Sequence, residues 1–235
     1  MFIGHYGPAV WDTQRGRGKP IIKLWEAFLA VQAIDIVTGV LMIIGIEGVV
    51  LNDEKPVFYI PWSHSLASAI LIAILSAALY KFMKKSSRKR ECIVIAMLAF
   101  SHWVLDLVVH RPDLPLHPHG ELLLGFALWD FPLIAFALEA GLLAAALLFW
   151  QRVTVPKTKL YNYLIWVLFG LMILLHYVFI VEPGLQVKAG TFDINTLMSD
   201  QTQGYALIAT IIGLAFFIGL IERGRSPRFS KADHS

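Results

Sequence analysis

Only one cysteine, Cys92, stands in 235 residues. That excludes an internal disulfide and a thiolate-bound metal cluster. Charge is sparse: Asp, Glu, Lys and Arg make up 16% of the chain, against about 25% in soluble domains. There is no internal repeat and no low-complexity run, so the duplicated halves of many transporters are missing. The opening MFIGHYGPAVWD has no basic stretch leading into an apolar one, so no cleavable signal is expected. The net charge is +3 and the pI about 9.0, but no nucleic-acid motif accompanies them. Binding to nucleic acid is therefore not expected.

What the chain has in excess is hydrocarbon. It is 57% hydrophobic, with a mean hydropathy of +0.65. Several stretches reach the roughly 20 apolar residues needed to cross a bilayer. The expected fold is an all-α, polytopic membrane bundle of about six transmembrane helices. The spans fall near 24–46, 63–83, 92–110, 127–150, 161–181 and 204–222.

Basic residues set the expected orientation. Arg15, Arg17, Lys19 and Lys23 precede span 1, and Lys81, Lys84, Lys85, Arg88, Lys89 and Arg90 link spans 2 and 3. Arg152, Lys157 and Lys159 link spans 4 and 5, and Arg223, Arg225, Arg228 and Lys231 follow span 6. The other three links hold one each: Lys55, Arg111 and Lys188. Alternate links are basic, which places both termini in the cytoplasm of a cell with an inner membrane. The run KKSSRKR reads as an orientation signal with affinity for anionic lipid. Three parts follow: a membrane-embedded core over 1–150, two further spans over 151–222, and a basic tail over 223–235.

Span 3 carries the chemistry. In SHWVLDLVVHRPD, His102, Asp106 and His110 recur at i, i+4 and i+8, so they stack along nearly one stripe. Ionisable groups at membrane depth are costly and are kept where they serve a site. His and Asp together suit zinc, with manganese or magnesium as other divalent candidates. At 1.5 Å per residue, Asp106 lies about 6 Å and His102 about 12 Å deeper than His110. His64 opens span 2 in SHS at the level of His110. Asp35, in VQAIDIV, lies midway along span 1 near the level of His102, and Glu139 lies mid-span in span 4. His5, in IGHYG, reaches this cavity only if residues 1–12 tuck into the bundle from the cytoplasmic face.

Other residues read more simply. Ser63 is expected to N-cap span 2. Arg111-Pro112-Asp113 is a helix stop with a local ion pair. His117 and His119 are loop residues, His176 is a helix–helix contact, and His234 belongs to the tail. Gly39, Gly45, Gly213 and Gly219 suggest close helix packing.

IGHYG, the Asp in the first span, SHS at the second, and SHWVLD followed by HRPDLP together resemble the bacterial membrane-bound metal-dependent hydrolase family. That family is distantly similar to zinc-dependent phospholipases C. The resemblance covers roughly residues 1–150. It implies His5, Asp35, His64, His102, Asp106 and His110 as metal ligands. The chain departs from the Asp-x-Asp-His cluster of many members, offering only Asp35 there.

A hydrolase of this kind would use a metal-activated water. Asp35, Asp106 or Glu139 would orient or deprotonate it, and Arg111 would face an anionic group such as phosphate. The expected partners are the lipid bilayer and a lipid-like or phosphoester substrate. Two other classes fit the same residues: an ion or proton transporter, and a non-catalytic protein with a structural metal or a buried polar cluster.

Overall fold

The computed structural model describes residues 1–13, 20–52 and 55–228. Arg15, Arg17, Lys19, Lys231 and His234, all used in reading the sequence, lie outside the described residues. A short helix, α1 (Tyr6–Thr13), comes first, with Ile3, Tyr6, Ala9 and Val10 buried around it. Hydropathy predicts one straight span over 24–46. The structure gives α2 (Leu24–Val31) and α3 (Ala33–Ile43), bent by 53°. Neither Pro nor Gly stands at the bend. It falls at Gln32, which is fully buried and donates from Nε2 to the Phe2 carbonyl at 3.5 Å. The N-terminal segment therefore packs against the break.

The link after α3 holds an antiparallel hairpin, β1 (Gly48–Asn52) and β2 (Lys55–Tyr59), with Val50 opposite Val57. A single turn, α4 (Pro61–His64), follows, and then α5 (Leu66–Met83). Ser65, rather than Ser63, caps α5: its hydroxyl accepts from the Ser68 amide at 3.2 Å. The backbone is extended at Ser65, between the two helices, which leaves Ser63 inside the first of them. Next come α6 (Lys89–Val109) and a loop pairing β3 (Leu114–Pro115) with β4 (Leu123–Leu124). After α7 (Pro132–Val153), β5 (Thr154–Pro156) pairs with the C-terminal β6 (Arg225–Pro227). Between those two strands lie α8 (Leu160–His176), a π-helical turn (Tyr177–Val181), α9 (Glu182–Ala189) and α10 (Asp200–Arg223).

Among the described residues, five helical stretches are long and apolar enough to cross a membrane, and α2–α3 makes six if the bent pair is one span. Span 5 runs 30 residues, Leu160–Ala189, well past the 161–181 read from hydropathy. The outward faces agree with lipid as solvent. On α5, Leu71 is 55%, Ile74 59% and Phe82 76% exposed. Lipid contact makes such exposure costless, whereas soluble monomers rarely carry contiguous apolar patches of that kind. The chain is thus an integral membrane helix bundle.

Inside, one end of the bundle is filled by hydrocarbon, including Phe28, Leu98, Leu147, Trp150, Leu168 and Ile218. Helix α10 closes on α3 through small residues. A Cβ on Gly204 would stand 2.5 Å from the Gly39 carbonyl oxygen, so the two backbones meet directly. Gly219 similarly leaves room for Trp25. The other two glycines read as packing residues differ. Gly213 meets nothing within 4 Å, and Gly45 takes φ +74 to turn the chain out of α3.

Candidate metal centre

The stripe on α6 is the floor of the site. His102 and Asp106 point inward from the helix, and His110 is its C-cap residue. All three are at most 3% exposed. Three further elements bring groups to them. The turn before α1 delivers His5, whose ring stacks on His102 at 3.6 Å between centroids. Helix α3 delivers Asp35, and α4 delivers His64.

Asp106 is the hub. Its Oδ1 lies 3.1 Å from His5 Nε2 and 3.7 Å from His110 Nε2, and it also pairs with the Met1 ammonium. Its Oδ2 lies 3.0 Å from His102 Nε2 and 3.4 Å from His64 Nε2. Asp35 Oδ1 spans the other side, 3.4 Å from His102 and 3.6 Å from His64. These atoms form three overlapping ligand groups: His5–His102–Asp106, Asp35–His64–His102 and His64–Asp106–His110. Within each group the donor atoms lie within 4.8 Å of one another. All six residues singled out in the sequence as ligands are therefore brought together, including His5 from the turn before α1, a helix packed against α2, α6 and α7.

The supporting hydrogen bonds fix which ring nitrogen is free. His102 Nδ1 is 2.8 Å from the Val31 carbonyl oxygen. A carbonyl only accepts, so Nδ1 carries the proton. Val31 is the last residue of α2, where helical carbonyls lose their partners. His110 Nδ1 donates to Asp113 Oδ1 at 2.9 Å. His64 Nδ1 lies 2.8 Å from Ser63 Oγ. That hydroxyl donates to Glu47 Oε2 at 2.7 Å, so it must accept from His64. Glu47 Oε1 also accepts the Trp62 and Ser63 amides at 2.7 and 2.8 Å, which caps the first turn of α4. In all three imidazoles Nδ1 is committed and Nε2 faces carboxylate oxygen. Outer hydrogen bonds of this kind orient the histidines of metal sites.

The inner atoms remain unpaired. His5 Nδ1 and Nε2, His102 Nε2 and Asp106 Oδ2 are buried without a hydrogen-bond partner. Unpaired lone pairs turned on each other, as His102 Nε2 and Asp106 Oδ2 are across 3.0 Å, repel unless a proton or a cation lies between them. Nitrogen and carboxylate donors at this spacing match the N/O set of zinc, with bonds of about 2.0–2.2 Å. The cluster could hold a metal ion on both counts. Comparison with family models, with curated proteins and with solved structures finds no match. The reading of the site therefore rests on its own geometry.

A cavity of about 550 Å³ opens beside the cluster, and Asp35, His64, Asp106 and His110 form its polar end. Its remaining walls are mostly apolar: Val57 and Phe58 from the hairpin, Val178 and Val181 from the π turn, Leu207 from α10. Spans 5 and 6 thus supply much of this wall, although the sequence motifs stop short of them.

Three expectations shift in detail. Arg111 lines the cavity, but its Nε donates to Asp130 Oδ1 at 2.6 Å, and Asp113 serves His110 instead of Arg111. Glu139 stands apart from the three ligand groups. Its Oε2 accepts the Phe2 and Gly4 amides at 2.7 and 3.2 Å, anchoring the segment that carries His5. His176, read as a helix contact, is 1% exposed, lines the cavity, and has its Nε2 3.8 Å from Glu139 Oε1. Sequence reasoning also missed Val31, Glu47, Ser63 and Asp113 as supports. Asp113 had a usable signal, three residues after His110, and Ser63 adjoins His64. Glu47 and the Val31 carbonyl had none.

Proposed function

We propose that the chain is a metal-dependent hydrolase of the bacterial membrane-bound type, cleaving a phosphoester of a lipid-like substrate. The observation that carries this reading is the set of imidazoles whose Nδ1 atoms are held from behind while their Nε2 atoms converge on two carboxylates beside a largely apolar cavity. A purely structural polar cluster would gain stability by pairing all its inner atoms, and here both His5 nitrogens, His102 Nε2 and Asp106 Oδ2 are bare.

His5, His102 and Asp106 would hold one ion, most simply zinc, with His64 and His110 completing the shell. Bound there, a divalent ion lowers the pKa of water from 15.7 toward about 7 and polarises a phosphoryl oxygen. The chain's own groups do the rest. Asp35, 15% exposed at the cavity wall, orients the attacking water and accepts its proton. Arg111, held by Asp130, presents a guanidinium to the anionic phosphate. The apolar walls take the acyl part of the substrate and keep bulk water out.

The alternating basic links support an orientation with the C-terminal tail and the links after spans 2 and 4 on the cytoplasmic side of the inner membrane and the centre in the outer half of the bilayer, where Met1 pairs with Asp106. The core at the opposite end of the bundle, built on Phe28, Leu98 and Leu168, supports an enzyme over a transporter. The test is elemental analysis of detergent-purified protein together with hydrolysis of a short-chain phospholipid in mixed micelles. About one zinc or manganese per chain with phosphate-ester cleavage is expected. Protein purified without chelator that carries no metal would retire the hydrolase.

A further inference from the structure

Outside the ligand cluster, a buried histidine, His176, lines the cavity, with the carboxylate of Glu139 beside it. His176 ends α8 and Glu139 lies on α7; both are essentially inaccessible. Both ring nitrogens of His176 and Oε1 of Glu139 lack a hydrogen-bond partner. The 3.8 Å between Nε2 and Oε1 is too long for a hydrogen bond. The pair is nevertheless held firmly. Glu139 is fixed through Oε2 by the Phe2 and Gly4 amides. The His176 ring is stacked between Phe2 at 6.0 Å and Phe136 at 5.7 Å, each tilted by only 11°.

Three polar atoms buried on immobilised side chains and left unpaired are expensive in a membrane interior, so they point to a ligand that completes them. The backbone agrees. The helix switches to π geometry at Tyr177, directly after His176, and Val178, Phe179, Ile180 and Val181 of that turn line the same cavity. Single π turns are frequent at functional sites.

We infer that His176 is the general acid of the reaction, protonating the leaving-group oxygen of an alkyl phosphoester, with Glu139 as its positioning carboxylate. This role rests on the hydrolase reading above. The step balances as follows. The water oxygen bonds to phosphorus as its proton passes to Asp35. The bond from phosphorus to the alkyl oxygen breaks, and the electron pair stays on that oxygen. The His176 ring proton moves to it and an alcohol departs. Solvent then carries the proton from Asp35 back to His176, so the net change is ester plus water to alcohol plus phosphate.

The experiment compares two probes in the zinc-loaded full-length protein. One is p-nitrophenyl octyl phosphate, whose leaving phenolate needs no proton. The other is dioctanoylphosphatidylglycerol, whose alkoxide does. Wild type, His176→Gln and Glu139→Gln are assayed, with zinc content measured on the same samples. His176→Gln is expected to keep its zinc and to cleave the aryl ester near the wild-type rate. On the phospholipid it should lose about 10²–10⁴-fold, the usual worth of a general acid. Glu139→Gln should show the same selectivity to a smaller degree. If wild type cleaves both probes and His176→Gln is unchanged on both, or falls equally on both, the general-acid role is overturned while the hydrolase stands. A wild type that cleaves only the aryl ester also overturns the role. A zinc-loaded wild type that cleaves neither probe overturns the hydrolase and this role with it.

Discussion

His102 donates from Nδ1 to the carbonyl of Val31 at 2.8 Å, joining the middle of α6 to the broken end of α2. The bend at Gln32 is thereby tied to the chemistry of the site. An unbroken helix would use the Val31 carbonyl internally; at the break it holds the imidazole in the tautomer that leaves Nε2 bare.

Replacing His102 or Asp106 by Ala should remove the metal while the protein still inserts in the membrane. Both residues belong to two of the three ligand groups, so either change damages more than one. Elemental analysis beside a membrane-fraction blot checks this. Unchanged metal content in both variants would sink the assignment of the centre.

Ser63→Ala should act on His64 without touching the cluster. The hydroxyl passes the His64 proton contact on to Glu47. Its loss should weaken metal affinity about 10–100-fold, the usual effect of removing such a support. Competition with a calibrated chelator measures it. An affinity equal to wild type would mean that Thr38, 3.3 Å from the same nitrogen, suffices.

Glu139→Ala should be much worse for stability than Glu139→Gln. Alanine strands the buried Phe2 and Gly4 amides, each costing about 1–3 kcal/mol when unpaired. Glutamine keeps a carbonyl to accept them. Thermal unfolding in detergent should drop clearly for the first and little for the second. Because that segment carries His5, the alanine variant should also bind metal more weakly.

Two glycines of α10 make a matched pair. Gly204→Ala pushes a methyl against the Gly39 carbonyl, with Ile43 also close, and should destabilise by about 1–3 kcal/mol as an overpacked contact. Gly213→Ala meets nothing within 4 Å and should be neutral or stabilise by up to about 1 kcal/mol through helix propensity. Equal melting shifts for the two would refute direct backbone contact between α3 and α10.

Arg111→Lys keeps the charge but loses the planar fork held by Asp130. It should raise KM for an anionic phospholipid more than it lowers kcat. A change confined to kcat would remove Arg111 from substrate binding.

The sequence by itself determined that this is a membrane bundle, because runs of about 20 apolar residues have no other stable place. It also determined the ligand stripe, since i, i+4, i+8 spacing on one helix puts His102, Asp106 and His110 on one face wherever that helix goes. His64 and Asp35 were legible too, as polar groups at matching depths on neighbouring spans. Other features depended on contacts between residues far apart in the chain. The break at Gln32, the N-terminal segment packed against it, and Glu47 reaching Ser63 carry no local signal, because each satisfies a polar group on a different element. The same holds for His176. Read alone in α8 it is one polar residue in a hydrophobic helix, and only the packing of α7 beside α8 sets Glu139 against it. Local periodicity fixes which face of a helix a residue occupies; the tertiary packing decides what that face meets.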